Sequence, residues 1–444
     1  MVDRRGETTP VVVGRSPADV EKLGLKGAVL LGKIYAETAE KLVLGNKIYL
    51  DVAGAHSVLI CGKRGGGKSY TMGVIAEGFS LLDEEVRKNL NIILLDTMGI
   101  YWTMGHANQK EKDLLEPYGM TPRPVEVKIY TPEKYYYEYK KKGIRTDVPF
   151  SIEAHVFTPD DWIMAFHQGK YSENGLYISK IVTEIEESKA RFTVQDILNF
   201  IDADKETDKL TKAAVKNMFE TAEGWGVFSD HGTPIEDLAK GGQISILDVS
   251  CYVTMPGGWD VKSLVVGVVA RHLFVSRMQS RKVEEVQEIR YIETYFTETT
   301  EAAARKQEMP IVWLVIDEAH EFLPRDEKDN SAATQPMITI MREGRQPGIS
   351  LILATQQPGK IHTDVMTQAD IVISHRVTAR MDVQALGLLA QSYLEHGVER
   401  AMNNLPHDKG TAVLFDDANE KIYQIRVRPR LTWHGGSSPT AVKE

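Results

Sequence analysis

The sequence is poor in the features that would place it outside a reducing, aqueous compartment. Its 444 residues include two cysteines, Cys61 and Cys251, too few for a disulfide framework or a cysteine-built zinc cluster. The longest apolar run, SLVVGVVARHLFV, contains Arg271 and is too short to cross a bilayer. The opening MVDRRGETTP lacks the apolar core of a signal peptide. These absences set the expectation of a soluble, cytoplasmic protein with no membrane partner. An excess of basic residues is missing too, since 53 Lys and Arg against 62 Asp and Glu leave a net charge of −9. That argues against a protein that coats nucleic acid with its whole surface. It leaves room for a ring with an acidic exterior and a basic channel.

What is present is an alternation of apolar runs and helical patterns. HSVLIC (56–61), NIILLD (91–96), QISILDV (243–249), IVWLVID (311–317), SLILATQ (350–356) and DIVISHRV (370–377) are near-continuous apolar runs. Strands buried on both faces read this way, so the expected fold is α/β with a helix-covered, mainly parallel sheet. TAVLFDD (411–417) and IYQIRVR (422–428) read as a hairpin closing the sheet edge. Residues 26–55 hold two strand-like runs, GAVLLGKIY and KLVLGNKIYLD, read as a short β element ahead of the main fold; residues 1–25 read as polar and loosely ordered. Residues 151–240 carry helical spacing and read as an all-α insertion. Residues 281–309 are highly charged and read as a solvated helix or excursion.

The chemistry gathers at four places. Gly62-Lys63-Arg64-Gly65-Gly66-Gly67-Lys68-Ser69 fits G-x-x-x-x-G-K-[ST] between a buried strand and a helical pattern. Backbone N–H groups can converge on a phosphate there only if side chains stay small, hence Gly65, Gly66 and Gly67. Lys68 is expected to reach the β- and γ-phosphates of ATP and Ser69 to bind Mg²⁺, with Gly62 and Tyr70 flanking the nucleotide. IVWLVID delivers Asp317 to a strand end, where an acid can hold the metal, and Glu318 follows, placed to polarise a water. The letters DEAH are not accompanied by the other motifs of that helicase class. Gln356, ending SLILATQ, is expected near the γ-phosphate as a sensor; Asp96 ends another strand, with a structural role at least as well supported. Arg342 and Arg345, with Arg376 as a third candidate, could each stabilise charge on a neighbouring subunit's γ-phosphate.

Taken together, HSVLICGKRGGGKS, LLDTMGIY, TPIEDLAKGGQISILDVS, VWLVIDEAHEFLP, MREGRQPGISLILATQQP and RVRPRLTWHGG resemble the HerA branch of the HerA/FtsK class of P-loop ATPases, from about residue 26 to 436. The resemblance implies a RecA-like core over 56–150 and 241–436, the helical insertion at 151–240, a truncated barrel-like element at 1–55 and a tail at 437–444. It implies a homohexamer around DNA that translocates on or unwinds it in end processing or repair, with ATP and Mg²⁺ between subunits. It also implies a NurA-like nuclease or another effector as partner, although the residues before the P-loop are too few for the fuller barrel of relatives.

Two rival readings use the same residues. One is a nucleotide-regulated ring scaffold or switch of a defence or effector system, which DNA-stimulated turnover would set apart from a motor. The other is a secretion- or conjugation-type motor, which would carry a membrane anchor or docking domain. The run YYYEYKKKG (135–143) mixes rings and lysines as single-strand binding surfaces do, and as an ordinary solvated loop also can.

Overall fold

A computed structural model describes residues 10–37, 42–296, 309–377, 379–389 and 401–436. Thirteen strands among them form one sheet in the order β1-β3-β2-β13-β12-β11-β4-β10-β9-β5-β8-β6-β7. The strands are β1 (Val11–Val13), β2 (Ala28–Glu37), β3 (Leu42–Asp51), β4 (Ser57–Cys61), β5 (Leu90–Asp96), β6 (Lys128–Pro132) and β7 (Val148–Phe150). They continue with β8 (Ile244–Asp248), β9 (Ile311–Ile316), β10 (Ile349–Thr355), β11 (Ile371–His375), β12 (Thr411–Asp416) and β13 (Lys421–Val427). From β11 to β7 every neighbouring pair is parallel. The fold is thus a RecA-like α/β core.

The continuous apolar runs follow from burial on both faces. In β4, Val58 and Ile60 join the apolar layer under the helix Lys68–Phe79, with Met72, Ile75 and Phe79. Leu59 and Cys61 join the opposite layer, with Trp162, Ile178, Phe219 and Val265. That second layer is supplied by the helices Pro159–Ala165, Glu173–Ser188, Val194–Ala203 and Lys209–Glu223 and by the long helix Gly258–Phe296. The charged stretch begins as the distal part of this long helix, and residues 297–308 lie outside the described residues.

Three expectations need correcting. The hairpin β12–β13 does not close the sheet edge, because β13 pairs antiparallel with β2. Gly32 permits this: a Cβ there would sit 2.0 Å from the Arg426 carbonyl oxygen, so only glycine lets the strands meet. Nor is the described part of the polar N-terminal stretch loose. β1 adds parallel to β3, and the helix Pro17–Leu23 follows, its Ser16 Oγ accepting from the Asp19 amide at 3.2 Å with proline in the first turn. The tyrosine–lysine run, finally, is a helix, Glu133–Lys141, rising from the carboxyl end of β6.

Candidate functional site

β4 ends at the carboxyl edge of the sheet between β11 and β10, and the glycine loop starts there bonded to both neighbours. The Gly62 amide donates to the Thr355 carbonyl at 3.3 Å and the Lys63 amide to the Arg376 carbonyl at 3.2 Å. Gly65 and Gly67 take φ of 71° and 108°, the left-handed region that favours glycine. A Cβ on Gly66 would come within 2.8 Å of the Lys63 carbonyl oxygen. The loop runs into the helix Lys68–Phe79 with no side-chain cap and no acid in its first turn, so its leading N–H groups are left for an anion. Lys68 is buried at its mouth.

The acid pair meets the loop across the sheet. Ser69 Oγ donates to Asp317 Oδ2 at 2.5 Å, and Asp317 Oδ1 accepts from the Glu318 amide at 2.8 Å. Glu318 has φ of 50°, unusual for a glutamate, and its Oε2 is buried with no hydrogen-bond partner among the described residues. Burial, and then the neighbouring Asp317 charge, push its pKa up to about 7 against the pull of Lys68. β10 lies between β4 and β9, with Thr355 opposite Cys61 and Leu353 opposite Ile316. Gln356, the next residue, therefore sits between the glycine loop and the acid pair. The site fits a magnesium nucleotide, because hard oxygen donors converge beside a buried lysine and a cradle that added Cβ atoms would fill.

Two histidines support this edge that sequence reasoning passed over. His375, ending β11, is fully buried; its Nδ1 donates to the Thr411 carbonyl at 2.9 Å and its Nε2 accepts from Thr71 Oγ1 at 2.8 Å. Burial pushes its pKa down to about 4, so the ring is neutral; it packs under Gly67, where an added Cβ would lie 3.3 Å from the ring Cε1, and the His375 Cβ packs under Gly62, where an added Cβ would lie 2.8 Å from it. His320 lies beside Glu318. A histidine ending an apolar run carries no sequence signal that separates it from any core histidine.

Tyr70 faces away from the loop: its hydroxyl donates to Glu111 Oε2 at 2.5 Å and accepts from the Arg430 amide at 2.7 Å. The same helix buries Glu77 completely, against Arg428 at 2.5 Å and the Leu431 and Thr432 amides at 2.9 and 3.1 Å. The terminal RPRLTWHGG is thus strapped to the far side of the helix that follows the loop. Asp96 has the structural role, accepting from the amides of Gly99 at 2.7 Å and Tyr101 at 2.8 Å.

The arginines divide. Arg342 donates to Asp364 at 2.5 Å and Arg345 to Asp370 at 2.6 Å, with side chains 56% and 71% exposed. Both flank the turn into the amino-terminal end of β10, roughly 20 Å from the carboxyl edge that holds the glycine loop. The structure does not bring them to the chain's own site. Arg376 is at the loop's edge, but its guanidinium donates to the Leu405 carbonyl at 2.7 Å and contacts His407.

Residues 31–274, more than half of the chain, match the family described as the central domain of the helicase HerA, and residues 269–427 match the zonular occludens toxin family. The chain is 25% identical over 365 residues to the probable DNA double-strand break repair helicase HerA of Methanocaldococcus jannaschii, covering 78% of this chain and 65% of that relative. It is 26% identical over 199 residues to the DNA double-strand break repair helicase HerA of Pyrococcus furiosus, covering 42% and 33%. It therefore spans less than two thirds of either relative. Among solved structures, VirB4 of Thermoanaerobacter pseudethanolicus superposes with a TM-score of 0.50 at 12% identity over 91% of this chain and 96% of that one, a likeness of fold. With its phosphate loop and acid pair assembled on such a core, the chain belongs to the HerA family of P-loop ATPases.

Proposed function

We propose that this protein is an ATP-driven motor that acts as a homo-oligomeric ring, a hexamer, translocating on or unwinding DNA. The observation that supports it best is the meeting of Ser69 with Asp317 beside Glu318, whose buried Oε2 has no hydrogen-bond partner among the described residues, in a chain of the HerA family. The motor core would be residues 56–150 and 241–436, with 151–240 as the insertion.

In this reading the loop N–H groups and Lys68 hold the β- and γ-phosphates. Ser69 and Asp317 would hold Mg²⁺, which when bound supplies charge neutralisation on the phosphates. Glu318, with its raised pKa, orients a water and takes its proton near neutral pH. Gln356 contacts the γ-phosphate side of the site. Arg342, with Arg345 as alternative, acts on a neighbour's nucleotide, which suits side chains exposed away from their own loop. DNA would lie along basic surface, including the exposed end of the helix Glu133–Lys141, where Tyr137 is 54% exposed and Lys140 lies 5.4 Å from the Tyr136 ring. Work in DNA-end processing with a NurA-like nuclease or another effector, in the cytoplasm, completes the proposal. Among the described residues no helix is long and apolar enough to cross a membrane.

The test is steady-state ATP turnover with and without duplex and single-stranded DNA, alongside mass measurement with Mg²⁺ and ATP. DNA should stimulate turnover, and binding should weaken by tens-fold or more over a few-fold rise in salt. A chain that stays monomeric under all these conditions refutes the ring. Salt-independent binding, or turnover indifferent to DNA, favours a nucleotide switch instead.

A further inference from the structure

His320 lies between two parts of the nucleotide site without belonging to either. It sits in the short turn Ala319–Glu321 just after the acid pair, largely buried. Its Nδ1 is 3.1 Å from Thr355 Oγ1 and 3.6 Å from Glu318 Oε2; its Nε2 is 3.5 Å from the Gln357 side-chain nitrogen. An amide nitrogen only donates, so Nε2 accepts and the neutral ring carries its one proton on Nδ1. Burial, with Lys360 and Lys68 nearby, keeps the ring below the usual histidine pKa and so neutral.

One N–H therefore faces two acceptors. Thr355 Oγ1, the nearer, holds it. Glu318 Oε2 lies about half an ångström too far and has no other partner among the described residues. Thr355 is fixed to the rest of the site at both of its oxygens. Its carbonyl accepts from the first loop glycine, Gly62, at 3.3 Å, and its hydroxyl accepts from the Gln357 amide at 3.0 Å. Gln357 thus anchors the ring through its side chain and the competing acceptor through its backbone. A displacement of the end of β10 loosens both together.

We propose that His320 is a regulating residue for Glu318: with its N–H on Thr355 the carboxylate is free to polarise water, and with its N–H passed to Glu318 Oε2 the carboxylate is occupied and hydrolysis stops. The exchange needs less than an ångström of movement, and the segment that drives it, Gln356–Gln357, borders the γ-phosphate side of the site. The idea rests on the hydrolytic reading of the acid pair.

The experiment is an epistasis test on the full-length chain, with Mg-ATP turnover as one readout and nucleotide affinity as the other. Thr355→Val removes the competing acceptor and should slow turnover about tenfold to a hundredfold, the range for a hydrogen bond to a charged group, with affinity retained. Thr355→Ser keeps the acceptor and should keep the rate. Adding His320→Ala to Thr355→Val removes the donor and should restore turnover to within a few-fold of the parent. A residue that only holds the turn in shape would make the double variant slower, never faster. Parental turnover in Thr355→Val, or a double variant as slow as Thr355→Val, overturns the proposal. If Thr355→Val does not fold, His320→Ala alone decides: a rise in basal rate supports the switch and a fall overturns it. A wild-type chain without turnover, with or without DNA, sinks the hydrolytic reading and the switch with it, whereas an active wild type with the wrong epistasis sinks the switch alone.

Discussion

At the amino-terminal edge of the sheet, His56 is pinned between two carboxylates, and that arrangement predicts a specific dependence of stability on pH. Its Nδ1 lies 2.8 Å from Asp370 Oδ2 and its Nε2 3.2 Å from Asp51 Oδ2. Asp51 also takes Arg15 at 2.5 Å, and Asp370 takes Arg345 at 2.6 Å and the Ser57 amide at 2.8 Å. Burial alone would push the imidazole pKa down, but the hydrogen bonds and charges of Asp370 and Asp51 outweigh it and raise it to about 9. An unfolded histidine titrates near 6.5. The gap of roughly 2.5 pH units corresponds to about 3 kcal/mol of stability. Because the folded value is the higher one, this contribution is complete below about pH 6.5 and is lost as pH rises through 9. Denaturant unfolding of the parent and of His56→Gln should therefore differ most near pH 6 and converge by pH 9. A difference that stays constant over that range would refute the reasoning. The cluster also bears on the neighbouring arginine: if Arg345 leaves Asp370, His56 still neutralises it. Arg345→Ala should cost little in folding, as expected for an exposed ion pair.

Two further outcomes concern the nucleotide site. Lys68→Ala should lose nucleotide binding, whereas Glu318→Gln should keep it and stop hydrolysis; parental turnover in Glu318→Gln would remove Glu318 from its role. Mixing Lys68→Ala subunits with Arg342→Ala subunits, each inactive alone, should restore some hydrolysis, because one interface then pairs an intact site with an intact arginine. An effect on the order of 10³–10⁵ is expected of an arginine acting across the interface. No recovery on mixing means that Arg342 does not act in trans, and the same experiment on Arg345 decides between the two.

Much of this architecture is legible in the sequence because of where the strands lie. β5, β8 and β10 are buried on both faces, so their letters are mostly apolar, broken only by single buried polar residues such as Asn91, Ser245 and Ser350, and strand ends such as Asp96 and Asp317 stand out against them. The glycine loop is legible because its backbone geometry restricts the residue types. What escaped depends on pairing between distant segments. β2 reads as a separate element until Gly32 is seen to admit β13, and nothing local to either strand announces that match. His375 and Thr71 lie 304 positions apart, and His320 and Thr355 lie 35 apart. Each is an ordinary polar residue until the sheet order makes them neighbours. The arginines show a third limit. Spacing puts Arg342 and Arg345 between two strands but does not say at which end of β10 the connection turns.

The strap over the helix Lys68–Phe79 bears on how the chain can be made. Glu77, in that helix, is neutralised by Arg428 and by the amides of Leu431 and Thr432, which leave the ribosome some 350 residues later. Until they arrive, the helix cannot bury its glutamate against the sheet without stranding a charge. β13, which carries the strap, is also the strand that joins the earliest strands to the rest of the sheet. A nascent chain thus has its phosphate-binding sequence synthesised early but cannot seat it until translation is nearly finished. A truncated product ending before Arg428 would hold the complete nucleotide motif and yet lack the partners that let its helix bury Glu77.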